Sequence, residues 1–119
     1  MVLGSGVEGK MGYIALLRQR ELQKKNLREA ALKEAERLSA LLKKEFEYET
    51  LYLIGSVVKG KGFNRHSDID FVIKGLKKEF FFKALALLMK DSTFDVDLKP
   101  WEELSTDSKV KVEKEGRIL

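Results

Sequence analysis

The sequence predicts an α+β domain, a mixed α/β sheet of about three core strands flanked by helices and preceded by one long N-terminal helix. Three observations carry this. Residues 13–48 contain neither proline nor glycine and are dominated by Ala, Leu, Glu, Lys and Arg, as a long helix requires. Short β-branched and aromatic runs follow at 50–54, 68–74 and 94–98, each bounded by glycine, serine or proline. Between the second and third runs, residues 77–90 return to helical spacing, with Phe81, Ala84, Leu85 and Leu88 on one face.

At 119 residues the chain has room for one such domain. Residues 1–12 are glycine-rich and are expected to be a flexible segment ahead of a domain spanning 13–119. Within the long helix, Leu27, Ala31, Ala35, Leu38, Leu42 and Phe46 recur every three or four residues, so this half packs on the core. From Arg18 to Asn26 only Leu22 is a large apolar residue, which leaves that half for solvent or a partner and allows a break near Asn26. In the run 68–74, strict alternation puts Ile69, Phe71 and Ile73 on one side and Asp68, Asp70 and Val72 on the other. Pro100 suits the first position of a last helix, with Glu102 and Glu103 in its opening turn.

Composition excludes several classes. No cysteine is present, which removes disulfide scaffolds, cysteine nucleophiles and thiolate zinc sites. No apolar run is long enough to span a bilayer, so no membrane association is expected and a cytoplasmic protein is. The formal charge of +4, from 23 basic and 19 acidic residues, is a modest excess, and no nucleic-acid partner is expected from it. Gly4, Gly6, Gly9 and Lys10 mimic phosphate-binding glycine patterns, but only three residues precede them where a buried strand is needed.

The residues that carry chemistry are Gly55-Ser56, Gly60, Ser67-Asp68-Ile69-Asp70 and, on another strand, Asp97. Asp68 and Asp70 share a strand face, with α-carbons about 7 Å apart, and Asp97 arrives through a helical crossover as a third carboxylate. Gathered carboxylates repel one another unless a cation neutralises them, and magnesium prefers such oxygen ligands together with substrate phosphates. Two such ions support an in-line displacement at phosphorus. Gly55 and Ser56, closing a buried strand, offer backbone amides and a hydroxyl to a triphosphate, while Lys59, Lys61 and Arg65 either face phosphates or are solvated. Each aspartate pair alone suits an ordinary wet strand face; the combination with the Gly-Ser turn does not.

This pattern resembles the minimal nucleotidyltransferase family of the DNA polymerase beta superfamily: Gly55, Ser56, Gly60, then Ser67, Asp68, Ile69, Asp70 and the apolar Phe71, Val72, Ile73, with Val96-Asp97-Leu98 as a third acidic strand. Covering about residues 35–105, the resemblance implies that Asp68, Asp70 and Asp97 are catalytic and hold two magnesium ions, and that Gly55, Ser56 and Ser67 bind the co-substrate, ATP or another NTP. Asp95 shares the face of Asp97, and the family's pattern favours Asp97. The implied reaction passes an NMP, as AMP from ATP, to a hydroxyl of a protein or small molecule. Family members pair with a HEPN-type protein as antitoxins, which implies such a partner here; a chain this short otherwise needs a homo-oligomer to complete its site. The alternative is a non-catalytic antitoxin-like binding protein that keeps the fold.

Overall fold

A computed structural model describes residues 5–119, with side chains from residue 12 onward. Of the glycine pattern expected to be flexible, Gly4 lies outside the described residues, and Gly6, Gly9 and Lys10 fall within the first helix. The element order is α1 (Ser5–Glu45), β1 (Thr50–Ile54), α2 (Ser56–Lys59), β2 (Ile69–Lys74), α3 (Phe81–Asp91), β3 (Val96–Pro100), α4 (Thr106–Glu115) and β4 (Arg117–Ile118). Short 3₁₀ turns at Lys78–Phe80 and Trp101–Glu103 precede α3 and α4.

The helix α1 is a single unbroken element of 41 residues that starts at Ser5, ahead of the Tyr13 expected from composition, and shows no break at Asn26. At 1.5 Å per residue it runs roughly 60 Å, which accounts for the 68 Å long axis of the molecule. Its inner half carries the predicted stripe: Ala31, Ala35, Leu38 and Leu42 are fully buried, and Leu27 and Phe46 pack beside them. Side chains from Gly12 to Asn26 are exposed.

The sheet has the order β3-β2-β1-β4, with β1 antiparallel to β2 and β4, and β2 parallel to β3. Parallel pairing of β2 and β3 needs a crossover, and α3 supplies it. Alternation then sorts the side chains. Leu51, Leu53, Ile69, Phe71, Ile73 and Leu98 point to the face covered by α1 and α3 and form the main core. Tyr52, Ile54 and Val72 point to the other face, where Trp101, Leu104 and Val112 form a smaller cluster. There Trp101 stacks on Tyr52 with ring centroids 5.5 Å apart, a pairing worth about 1 kcal/mol beyond its burial. The second cluster closes only part of this face, and the chemistry sits on the remainder.

Four expectations need correction. Pro100 ends β3, where its ring removes a donor that an edge strand does not need, and leads into a single 3₁₀ turn instead of opening the last helix. The last helix starts at Thr106, where Ser105 caps it by accepting a hydrogen bond from the Ser108 amide at 3.2 Å. Glu102 does not serve a helix dipole; its carboxylate accepts the Gly75 amide at 2.9 Å. A fourth strand exists beside the three expected, since Arg117–Ile118 returns to pair with β1.

One polar cluster pins α1 to the α3–β3 connection. Glu34 is nearly buried, accepts two bonds from Arg37 at 2.7 and 2.9 Å, and accepts the Thr93 amide at 2.8 Å. Arg37 also donates to the Asp91 carbonyl at 2.7 Å. The Arg37 hydrogen bonds, partly offset by burial and reinforced by Thr93, hold the Glu34 carboxyl down at about 2. Because the folded value lies below the unfolded one, this stabilisation is complete above the ordinary glutamate range and disappears as pH falls toward 2. Glu34→Ala should cost about 2 kcal/mol at neutral pH, measured by urea unfolding. That deficit should shrink progressively as the pH is lowered from about 5 toward 2.

Candidate active site

The predicted site residues gather where β1 ends and β2 and β3 begin. Register pairs Ile54 with Asp70 and Asp70 with Asp97, so the two carboxylates stand side by side on neighbouring strands, about 4.8 Å apart at the backbone. Asp68 lies in the segment just before β2, exposed, instead of within the strand as the alternation suggested. Asp95, the competing candidate, is exposed ahead of β3 and contributes its carbonyl to the Ile69 amide at 2.8 Å. Its side chain has no register partner on β2, whereas Asp97 faces Asp70 directly.

Electrostatics mark Asp70 as the strained member. Its carboxyl is pushed above the ordinary aspartate range, first by burial, then by the charge of Asp97; Lys99 opposes this and Asp68 adds to it. Lys99 places its ammonium 3.4 Å from the Asp97 carboxylate. A half-exposed pair of this kind adds little stability, but it shows that the carboxylates already draw a cation.

Gly55 makes the juxtaposition possible. It has φ +82°, and a β-carbon there would lie 2.5 Å from Asp70 Oδ2. Any other residue would be strained in the backbone and would collide with the carboxylate. After Gly55 the chain turns directly into α2, which begins at the half-buried Ser56 and is anchored by fully buried Val57. Arg28 of α1 reaches across to satisfy the far end of this short helix, donating to the carbonyls of Val57 at 2.8 Å and Val58 at 3.1 Å. Gly60 then closes α2 in the left-handed conformation, with its open side toward the Arg28 guanidinium.

Ser67 has a different occupation from Gly55 and Ser56. Its hydroxyl accepts the Asn64 amide at 3.0 Å and donates to the Gly62 carbonyl at 3.3 Å, fixing the loop before β2. His66, the only histidine, is exposed and uses its backbone amide on the Asn64 side chain. Trp101 belongs to the small core cluster and the three phenylalanines at 80–82 lie around α3, away from the carboxylates.

Next to the carboxylates, between the sheet and α4, opens a cleft of about 210 Å³. Gly55, Val58 and Val72 line its inner side, and Lys59, Lys99 and Lys111 come to its rim from three different elements. Sequence reading did not single out Lys99 or Lys111. Only the strand alternation that puts Lys99 on the face of Asp97 was available as a signal, and for Lys111 there was none. Arg65, considered with Lys59, lies instead in a separate cleft against α1.

Among the described residues, no three His, Cys, Asp or Glu side chains stand close enough to enclose a metal ion unaided. The donor set nevertheless fits magnesium. Asp70 and Asp97 are adjacent hard oxygen donors with Asp68 within electrostatic reach, and magnesium is commonly held by one or two carboxylates with phosphates and water completing its shell.

A match of residues 36–119 to the polymerase beta nucleotidyltransferase family model spans most of the chain, and the chain belongs to this family. It is a nucleotidyltransferase by family and by fold. Solved structures agree: a mutant of the toxin–antitoxin MntA-HpeT is similar at 26% identity and TM-score 0.58, over 71% of this chain and 70% of that one. A toxin–antitoxin solved with AMP-PNP is similar at 24% identity and TM-score 0.58, over 72% and 69%. No curated protein sequence matches significantly.

Replacing Gly55 tests the close approach. Gly55→Ala should destabilise the domain by about 2 kcal/mol and weaken binding of a magnesium–nucleotide complex at least tenfold, as followed by thermal melting and calorimetry. Gly62→Ala, which also has a positive φ but meets no atom within 4 Å of the added carbon, should be milder in stability and leave nucleotide affinity nearly unchanged.

Proposed function

We propose that this chain transfers AMP from ATP to a hydroxyl on a protein partner of HEPN type, as the antitoxin of a toxin–antitoxin pair. The observation that carries the reading is the register of Asp70 against Asp97 beside the Gly55-Ser56 turn. The likeness to toxin–antitoxin structures, one of them with AMP-PNP, supports the partner and the nucleotide.

In this reading the backbone at Gly55 and Ser56 receives the triphosphate, and the lysines at the cleft rim offset its charge. Two magnesium ions, when held by Asp68, Asp70 and Asp97 with the phosphates, supply the positive charge that an in-line displacement at phosphorus requires. Asp97, whose carboxylate is held by Lys99 only at 3.4 Å, accepts the proton of the acceptor hydroxyl. The acceptor oxygen forms its bond to the α-phosphorus as the bond to the bridging oxygen breaks, and pyrophosphate leaves. The exposed outer half of α1 supplies a surface on which a partner docks.

A contact-only antitoxin is the competing reading, and the same exposed helix serves it. It gives no reason for three acids around one sheet end, where Asp70 bears a burial and repulsion penalty.

Incubation with a HEPN-type partner and ATP labelled at either the α- or the γ-phosphate separates the two. Transfer of AMP labels the partner from the α-position alone, and Asp70→Asn should reduce labelling by about three orders of magnitude or more. Label arriving from the γ-position would point to phosphoryl transfer. Full neutralisation of the partner by Asp70→Asn without any labelling would establish the contact-only protein.

A further inference from the structure

The modest net charge conceals a strong segregation. The outer and middle part of α1, residues 13–28, holds five basic residues against the single acid Glu21, and the loop 59–67 holds three against none. The rest of the chain carries fifteen basic against eighteen acidic residues. All of the excess positive charge therefore lies on one helix segment and on the end of α2 with the loop after it, and Arg28 holds α2 against α1 through its bonds to Val57 and Val58.

Between them runs a cleft of about 500 Å³ lined by Arg20, Gln23, Lys24, Leu27, Asn64 and Arg65. We propose that this cleft binds a single strand of nucleic acid through its phosphate backbone. Arg20 and Lys24 are one helical turn apart, so their charges follow one line along α1 with a spacing close to that of successive phosphates. Arg65 faces them from the loop. Its position is set in advance, because Asn64 accepts from the His66 amide at 2.8 Å and bonds through its own amide to Ser67 Oγ at 3.0 Å. Lys24 is engaged only at 3.8 Å with Glu21, an exposed pair that a phosphate displaces readily.

The lining favours nucleic acid over an acidic polypeptide. Leu27 is the one apolar residue in it, whereas protein-binding grooves carry an apolar centre inside a charged rim. Gln23 offers an amide suited to base edges, and with no aromatic residue in the lining the strand is held by its phosphates without stacking. Arg65 stands three positions before Asp68, so the bound strand approaches the carboxylate end of the sheet while remaining outside the lysine-rimmed cleft.

Fluorescence anisotropy with a labelled, mixed-sequence RNA of about 20 nucleotides tests this at several salt concentrations. The native chain should bind, with log K falling against log salt at a slope of about −2, as three neutralised phosphates on a single strand require. Arg20→Glu with Lys24→Glu, both on exposed helix positions, should weaken binding at least tenfold at about 50 mM salt and leave the melting temperature and magnesium–nucleotide binding unchanged. Arg65→Ala should reduce the slope by about 0.7. Absence of binding at low salt, equal binding by the charge-reversed chain, or equal binding of polyglutamate of matched length would each overturn the proposal, the last by assigning the cleft to acidic polypeptides.

Discussion

The parallel pairing of β2 with β3 is the constraint on which the rest of the molecule depends. It fixes Asp70 opposite Asp97, forcing two like charges together at one end of the sheet. Lys99 offsets only part of that repulsion. Asp70 is half-buried and repelled by its neighbour, and Gly55 must give up a side chain to admit it. A fold that keeps such a cost has a use for the charge, and a cation brought in with a polyphosphate is the form of relief that the adjoining lysines anticipate.

Stability and chemistry occupy opposite faces of the same strands. Ile69, Phe71 and Ile73 lock β2 onto α1 and α3, and Glu34 with Arg37 fastens those helices to each other. The alternate residues Asp70 and Val72 face the other way, where α4 and the stacked Tyr52–Trp101 pair close one half and leave the other open. Because one strand serves both, the rigid core sets the carboxylate positions directly. Arg28 extends that control to α2: a four-residue helix has almost no stability of its own, and α1 holds its far end in place.

Much of this was legible in the sequence, and the reasons differ by element. Period-two alternation through Ile69, Asp70 and Phe71 named the strand, its two faces and the acids on one of them. The glycine at 55 was legible as a loop signal, though its contact with Asp70 came only from the fold. What escaped had little or no local signal. The strand β4 is two exposed residues, and it exists only because β1 has a free edge for it to pair with. Pro100 is equally at home at a helix start and at the end of an edge strand, so the beginning of α4 was misplaced. Lys99 and Lys111 are two lysines in a lysine-rich chain, and the segregated charge of α1 and the loop vanishes in a net sum of +4.

The central claim is that Asp70 is held at a cost that a magnesium–nucleotide complex relieves, and thermal melting of Asp70→Asn against the native chain addresses it most directly. A raised folded carboxyl value means that the penalty builds between the unfolded carboxylate range and the folded value and is constant above it. At neutral pH without divalent ions the variant should therefore melt higher than the native chain; at acid pH the difference should vanish as Asp70 takes up its proton. Magnesium with AMP-PNP should raise the melting point of the native chain and leave the variant unmoved. A variant that melts lower at neutral pH, or that keeps the ligand-induced rise, would contradict the account.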